Sequence, residues 1–272
     1  MVAREIFFLP VGKGQRFCIY HPPRTQIARG AVLYIHPFAE EMNKSRRMAA
    51  LQSRAMAEAG YGVLQLDLHG CGDSSGDFGD ATWDGWKEDA ANAVSWLRTR
   101  TSSPLTLWGL RAGCLLAANV AVNLPEKPNF IFWQPVLSGK QHWQQFKRLK
   151  TASELVSGRG KEALDALRHQ PDAGLHVEIA GYTVGHCLSA GLEKSELSPL
   201  PDQAGHVAWI EISSREDGRM SPASLARIEE WRAAGFRLES SLVYGPAFWQ
   251  TTEIEDAPRL IDSTLAAMRT WQ

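Results

Sequence analysis

Groups able to bind or transform a ligand are concentrated in a few short loops of this sequence. Residues 36–41 supply a histidine and two glutamates, and residues 67–76 supply aspartates, a histidine and a cysteine among glycines. Residues 108–113 carry an arginine between two glycines, while residues 214–220 and 245–250 carry an aspartate and a tryptophan. Carboxylates and imidazoles act as general acids or bases, and a guanidinium pairs strongly with carboxylate or phosphate. The loops therefore hold groups for acid–base chemistry and for anion binding.

Strand and helix signals alternate along most of the chain. Continuous apolar runs are typical of strands buried on both faces, and Gly12 and Gly14 indicate a hairpin near the start. Apolar residues at helical spacing, ended by glycine, indicate the helices between the strands. We predict strands at residues 5–9, 16–20, 31–35, 61–66, 105–108, 129–133, 207–213 and 237–244, and helices at 45–59, 84–98, 112–123, 222–234 and 255–269.

This alternation predicts an α/β fold with a mostly parallel central sheet flanked by helices. The rhythm stops after the sixth strand, where residues 138–205 are polar and helical, with one further strand signal at 176–180. We predict a helical lid inserted there, on a single-domain core built from residues 1–137 and 206–272. Ligands bind beyond the carboxyl ends of parallel strands, so the chemistry-bearing loops are expected to meet at one edge of the sheet.

Several runs resemble motifs of the α/β-hydrolase superfamily. Residues 67–76 (DLHGCGDSSG) are similar to its DxRGxGxS loop, and Gly109-x-Arg111-x-Gly113 stands where the superfamily has G-x-S-x-G, the nucleophile turn. Residues 37–48, the WGLRAG turn and residues 179–182 (IAGY) together resemble the exosortase A system-associated hydrolase 2 family over nearly the whole chain. That resemblance implies an α/β-hydrolase fold and a place beside a companion α/β-hydrolase in bacteria with the exosortase sorting system.

The catalytic triad that this fold requires is incomplete in the sequence. Arg111 occupies the nucleophile position, and a guanidinium stays protonated and cannot attack a carbonyl. Asp217 is placed to be the triad acid, although an aspartate before glycine is also common in plain turns. No histidine follows His206, and Phe248 and Trp249 fall about where the triad histidine would be. The loss of two members predicts that classical acyl transfer is not performed.

Arg111 needs a stabilising partner. A positive charge at a helix N-terminus is unfavourable, and the resemblance implies that the backbone of this turn is strained. One interpretation is a structural ion pair with Glu40, Glu41 or Asp217. The other is a site where Arg111 and the helix N–H groups bind an anionic ligand. The two interpretations are compatible if the ligand displaces the carboxylate.

Other residues are weaker candidates for the site. By resemblance, the backbone N–H groups of Phe38 and Ala112 would form an oxyanion hole. We expect Cys114 to be a buried structural thiol, and a pairing of Cys71 with His69 or His36 is a minor alternative. Two histidines of the inserted segment are expected at the surface, His142 and His186. The predicted ligand-binding candidates are His36, Glu40, Cys114 and Trp249.

Composition excludes several classes of function. The formal net charge is -1, which gives no reason to expect a nucleic-acid partner. No run of about 18 apolar residues predicts a membrane span, and residues 1–14 contain no apolar signal region, so we expect a cytoplasmic protein. The four cysteines show no zinc spacing. We therefore predict no metal and no cofactor.

The sequence supports three hypotheses about function. The first is a protein that binds a small anionic or acyl-bearing ligand under the lid without classical catalysis. The second is an ester or thioester hydrolase that uses a different nucleophile, or a water activated by Glu41 or Asp217, with Arg111 assisting. The third is an interaction module that pairs with a companion α/β-hydrolase. An open cleft with perturbed carboxylates near Arg111 would favour the second, and a filled cleft with a large exposed apolar patch would favour the third.

Overall fold

The structure, a computed structural model, describes residues 3–156, 176–200 and 205–271. Strands and helices alternate as the sequence predicts. The strands are β1 (Glu5–Val11), β2 (Gly14–His21), β3 (Gly30–Ile35), β4 (Tyr61–Leu66), β5 (Leu105–Leu110), β6 (Asn129–Trp133), β7 (Val177–Ile179), β8 (Tyr182–Val184), β9 (His206–Ser213) and β10 (Arg237–Tyr244). The helices are α1 (Glu40–Glu58), α2 (Trp83–Arg98), α3 (Ala112–Ala121), α4 (Gly139–Val156), α5 (His186–Glu193), α6 (Pro222–Ala233) and α7 (Pro258–Arg269).

Eight strands form one sheet in the order β1-β2-β4-β3-β5-β6-β9-β10. The first hairpin pairs antiparallel, β2 also pairs antiparallel with β4, and the remaining neighbours are parallel. All six residues of β3 and of β5 are buried, which explains why these strands read as continuous apolar runs. The predicted α/β-hydrolase fold, with its mostly parallel sheet flanked by helices, is confirmed.

Two apolar layers cover the faces of this sheet. On one face α2 and α3 pack over a cluster that includes Trp86, Leu107 and Phe132, and on the other α1 and α7 pack over Trp108 and Trp133. Trp108 and Trp133 are almost completely buried and meet edge to face at 4.7 Å between ring centroids. Much of the high tryptophan content thus serves the core. The packed sheet fixes the strand ends from which the chemistry-bearing loops leave.

The segment between β6 and β9 contains more strand than we predicted, since the prediction was a helical segment with one strand at 176–180. It contains α4 and α5, but also an antiparallel hairpin of β7 and β8. Ala180 and Gly181 both have positive φ, 51° and 82°, as expected of a two-residue hairpin turn. Only the first of these strands was predicted, because three-residue strands leave too little alternation to detect. The parts of the prediction at 157–175 and 201–204 lie outside the described residues, and a lid role for this segment stays a prediction.

None of the helices in the described part of the chain combines the length and apolar character needed to cross a membrane.

Candidate functional site

The turn between β5 and α3 places Arg111 at the carboxyl edge of the sheet. Arg111 has φ 54° and ψ −121°, a backbone conformation that residues other than glycine rarely adopt and that costs about 1–3 kcal/mol. The expected strain at the central residue is therefore present. A Cβ atom at Gly109 would lie 2.6 Å from the backbone of Cys114, which explains why glycine stands there.

Gly113 is the position where we expect a small substitution to have a severe structural effect. A Cβ atom there would lie 2.3 Å from the carbonyl oxygen of Ile35 and 2.7 Å from that of His36. Because backbone must move to relieve this contact, Gly113→Ala should lower the free energy of unfolding by about 1–3 kcal/mol or more, measured by urea denaturation. Gly245→Ala is the matched control, since its nearest atom, Cβ of Ala257, lies 3.5 Å away. Equal stability of the two variants would contradict this account of the turn.

The loop after β3 is shorter than the sequence suggested, because α1 begins at Glu40 rather than at Ser45. Ala39 precedes the helix with φ 51° and ψ −127° and is buried. Glu40 and Glu41 therefore occupy the first helical turn, where the helix dipole favours negative charge. This placement brings Glu41 to Arg111.

Arg111 and Glu41 form the central ion pair of the site. The Nε of Arg111 donates to Oε1 of Glu41 at 3.2 Å, and both side chains are 15% exposed. Glu40 instead lies 3.7 Å from Lys44 along the same helix. Of the three carboxylates considered as partners of Arg111, the structure selects Glu41.

Asp217 does not join this site. Its carboxylate binds Arg215, two residues away, at 2.8 Å, and both side chains are about three-quarters exposed. That ion pair lowers the pKa of Asp217, as a nearby guanidinium does. The prediction that Asp217 acts as triad acid or as a water-activating base is therefore wrong, and its interpretation as a turn residue before Gly218 is the appropriate one.

A cavity of about 330 Å³ opens beside the ion pair. This volume is at the lower end of the range of small-molecule sites, about 300–1,000 Å³. Charged and polar groups share its walls with aromatic rings. The lining residues are Phe38, Glu40, Glu41, Arg111, His142, Gln145, Phe146, Trp249 and Gln250.

One nitrogen of the Arg111 guanidinium pairs with Glu41, and in the described part of the chain the other two are free to bind a ligand in this cavity. Only its Nε hydrogen-bonds within the described residues, whereas Nη1 and Nη2 have no partner there. Its Cζ lies 5.7 Å from the ring centroid of Trp249, a cation–π contact that helps to hold the charged group at the wall. Trp249 follows β10, where the triad histidine of the fold would be expected, and is 3% exposed. A buried aromatic ring thus lies on the cavity wall beside Arg111.

Burial shapes the protonation of two groups on the cavity wall. Desolvation raises the pKa of Glu41, although the positive charge of Arg111 opposes the shift. Desolvation and the same arginine lower the pKa of His142 to about 3. His142 is therefore neutral at physiological pH. Its predicted place at the surface is wrong, because it lies on the inner side of α4 with 7% exposure, whereas His186 is exposed as expected.

His36 and Cys114 have structural roles rather than places on the cavity wall. Nδ1 of His36 is bonded to the carbonyl oxygen of Pro37 at 2.8 Å, and Nε2 accepts from the backbone N–H of Leu68 at 3.3 Å. The thiol of Cys114 is fully buried and contacts the carbonyl oxygen of Trp133 at 3.7 Å. Both residues were ligand-binding candidates. The structure instead supports the interpretation of Cys114 as a packed thiol. His36 holds the loop after β4 through its hydrogen bond with Leu68.

Three of the four thiols should be inert in the native protein. Cys18, Cys71 and Cys114 are buried, and burial raises the pKa of Cys18 to about 12 and also raises the pKa of Cys71 and Cys114. Because the thiolate is the reactive form, we expect a disulfide reagent to modify only the exposed Cys187 before unfolding. Cys187→Ser should then show no fast-reacting thiol. Rapid native labelling of Cys71 would restore the hypothesis of a cysteine nucleophile.

The expected oxyanion hole stays a prediction. Phe38 lines the cavity, and Ala112 is buried as the first residue of α3. Within residues 3–156, 176–200 and 205–271, no three histidine, cysteine, aspartate or glutamate side chains lie together as a metal site requires. Sequence reasoning missed His142, Gln145 and Phe146 as site residues. They come from α4, and no local motif indicates that this helix packs over the loop after β3.

Solved structures of α/β-hydrolases match this architecture over almost the whole chain. Est1E from Butyrivibrio proteoclasticus, with ferulic acid bound, has a TM-score of 0.70 at 14% identity, covering 97% of this chain and 98% of its own. Monoglyceride lipase from Saccharomyces cerevisiae, with a substrate analogue, has a TM-score of 0.62 at 16% identity, covering 100% and 94%. XC6422 from Xanthomonas campestris, a serine hydrolase without a lid, has a TM-score of 0.59 at 14% identity, covering 100% and 96%. At such low identities, the structural likeness establishes the fold alone.

The family follows from the sequence itself. The profile of the family described as serine aminopeptidase, S33, matches residues 26–172, more than half of the chain. The chain therefore belongs to this family of α/β-hydrolases. The human protein ABHD12B is 30% identical over 111 residues, which make up 40% of this chain and only 29% of that protein. The match to ABHD12B thus spans less than a third of the relative's length.

Proposed function

We propose that this chain binds a small anionic or acyl-bearing ligand at Arg111 and does not perform the acyl transfer of serine hydrolases. The observation that carries the proposal is the guanidinium on the cavity wall, with Nη1 and Nη2 unbonded within the described residues. A carboxylate bound there would form paired, charge-assisted hydrogen bonds. The rings of Phe38, Phe146 and Trp249 offer an apolar surface to the rest of the ligand.

The first test combines catalysis and binding. We expect neither the wild-type protein nor Arg111→Ser to hydrolyse p-nitrophenyl acetate or butyrate above the protein-free rate, because no histidine follows His206 to act as the base that a serine would need. Calorimetry should detect saturable binding of phenylacetate or of ferulic acid, the acid bound in one structural neighbour. Phenylacetamide, which has the same shape without charge, should bind more weakly. Wild-type turnover, or equal affinity for acid and amide, would contradict the proposal.

A hydrolase that activates water through Glu41 is the second candidate. It is favoured by the raised pKa of Glu41 and by its Oε2 atom, which is buried without a partner among the described residues. As a base, Glu41 would take a proton from water, and Arg111 would stabilise the oxyanion formed at the attacked carbonyl. Turnover that is lost in Glu41→Gln and kept in Arg47→Ala, whose ion pair with Asp256 lies outside the cavity lining, would replace our first proposal with this one.

The biological setting is part of the proposal and rests on sequence resemblance. Residues 37–48, 108–113 and 179–182 support a role in an exosortase-linked system, together with a companion α/β-hydrolase. A cytoplasmic location is supported by the four free cysteines. The cavity beside Arg111 favours ligand binding over a purely structural pairing with that companion. Co-purification of the two hydrolases from their bacterium would test the pairing directly.

A further inference from the structure

Several buried polar atoms without a hydrogen-bond partner among the described residues belong to the walls of one cavity. Ten buried side-chain nitrogen or oxygen atoms of the described residues lack a hydrogen-bond partner. Four of these ten belong to three residues that line the cavity: Oε2 of Glu41, both ring nitrogens of His142 and Nε1 of Trp249. Buried polar atoms in proteins are normally bonded, so such a cluster indicates where the polar groups of a ligand belong.

His142 is the least satisfied residue of this cluster. It lies on α4, facing the loop after β3, with its ring 6.1 Å from the ring of Phe38 in an edge-to-face contact. Burial and the nearby Arg111 keep the ring uncharged, as its lowered pKa indicates. A neutral imidazole has one N–H donor and one acceptor nitrogen, and a hydroxyl group can both accept from the donor and donate to the acceptor. Neither nitrogen of His142 bonds to any described residue.

We propose that His142 is a specificity-determining residue, which hydrogen-bonds a hydroxyl group on a carboxylic acid whose carboxylate binds Arg111. This inference rests on the proposed function and adds the class of ligand to it, an aromatic hydroxy acid. The aromatic body is inferred from the three rings on the wall, Phe38, Phe146 and Trp249. The ring nitrogens are shielded from solvent, so the proposal requires a rotation about the second side-chain torsion of His142, a torsion with a broad range in histidine, to present one of them to the cavity.

Matched acids test this proposal in the intact chain. Phenylacetate has no hydroxyl group, mandelate has one beside the carboxylate, and 4-hydroxyphenylacetate has one at the far end of the ring. We expect at least one hydroxy acid to bind the wild-type protein about tenfold more tightly than phenylacetate, the gain typical of one good hydrogen bond. In His142→Phe this preference, measured as the ratio of the two affinities in the same variant, should fall below about threefold.

A structural role for His142 predicts different results. If the histidine only fills space, His142→Phe will bind both hydroxy acids with the wild-type preference, and the proposal is wrong. It is also wrong if the wild-type protein binds all three acids equally. His142→Gln keeps a donor and an acceptor and should retain part of the preference, so it guards against a folding defect in the phenylalanine variant. Ring ¹⁵N shifts of His142 should move with the preferred hydroxy acid and not with phenylacetate.

The failure of this inference can be told apart from the failure of the proposed function. Arg111→Ala should weaken all three acids alike, because it removes the carboxylate partner they share. If the acids bind and Arg111→Ala does not weaken them, or if none of them binds, the proposed function fails and the inference with it. If Arg111→Ala weakens all three and His142→Phe leaves the hydroxyl preference intact, only the inference fails.

Discussion

Replacing Arg111 with alanine should weaken the binding of phenylacetate by about 10- to 100-fold, the effect of losing a hydrogen-bonded charge partner. The expectation follows from the position of the guanidinium, whose Nη1 and Nη2 have no partner among the described residues. Arg111→Lys should recover only part of the affinity, because an ammonium lacks the planar fork with which a guanidinium donates two parallel hydrogen bonds to a carboxylate. Calorimetric titration of the three proteins gives the comparison.

Arg47→Ala is the matched control for this experiment. Arg47 also pairs with a carboxylate, Asp256, at 2.7 Å, but its side chain is 55% exposed and does not line the cavity. A loss of affinity in Arg47→Ala as large as that in Arg111→Ala would show a nonspecific effect of net charge. Unchanged affinity in Arg111→Ala would remove the basis of the proposed function.

Arg111→Ala should also lower the free energy of unfolding, because it leaves the carboxylate of Glu41 without its partner. Without Arg111 the carboxylate of Glu41 is largely buried and unpaired, so its already raised pKa should rise further. A carboxyl whose pKa is higher in the folded state makes the protein less stable as pH rises from the unfolded towards the folded pKa. The stability deficit of Arg111→Ala should therefore grow over that range, and the added change Glu41→Gln should remove it.

The fold could be predicted from sequence because its strong signals are local. Strands such as β4 and β6 are short, mostly apolar runs, and their bounds match the prediction to the residue. The nucleophile turn was predictable for the same reason, because Gly109 and Gly113 are required by backbone contacts within a few residues or with the adjacent strand end. The arginine at the centre of this turn, Arg111, is visible in the sequence directly.

The sequence predicts that the loops at the carboxyl ends of the strands form the site. It does not predict which side chains of those loops meet. Glu41 was one of three proposed partners of Arg111, and sequence could not choose among them, because the choice depends on where α1 begins. Asp217 does not reach Arg111, because its carboxylate pairs at the surface with Arg215, two residues away. His142 was missed because α4 folds over the carboxyl edge of the sheet through aromatic contacts of Phe38 with Phe146, which no spacing in the sequence encodes.

Binding of a carboxylate should draw up to one proton into the protein at pH values between the pKa of Glu41 in the free protein and its higher pKa in the complex, and Glu41 should receive that proton. The cavity would otherwise hold two negative charges against the one positive charge of Arg111, in surroundings where burial already raises the pKa of Glu41. A ligand carboxylate beside Glu41 raises that pKa again, since like charges disfavour ionisation. The other charged or titratable groups facing Glu41 are Glu40 and Lys44 on its own helix and His142 on α4.

The sign of the pH dependence follows from linkage. Affinity for phenylacetate should be greatest below the pKa of Glu41 in the unliganded protein. It should fall, by up to about tenfold per pH unit, until pH reaches the higher pKa in the complex. Titrations in two buffers with different ionisation enthalpies will measure the proton uptake directly. Phenylacetamide, which brings no charge, should show no such slope.

Two variants identify the group that takes the proton. Glu41→Gln resembles the protonated carboxyl, so it should bind phenylacetate at least as tightly as the wild-type protein does at low pH, with no slope and no proton uptake. His142→Gln should keep the uptake, because the lowered pKa of His142 makes it a poor proton acceptor. Uptake that persists in Glu41→Gln and disappears in His142→Gln would make the histidine the acceptor, and Glu41 would then serve only to hold Arg111 in its strained turn.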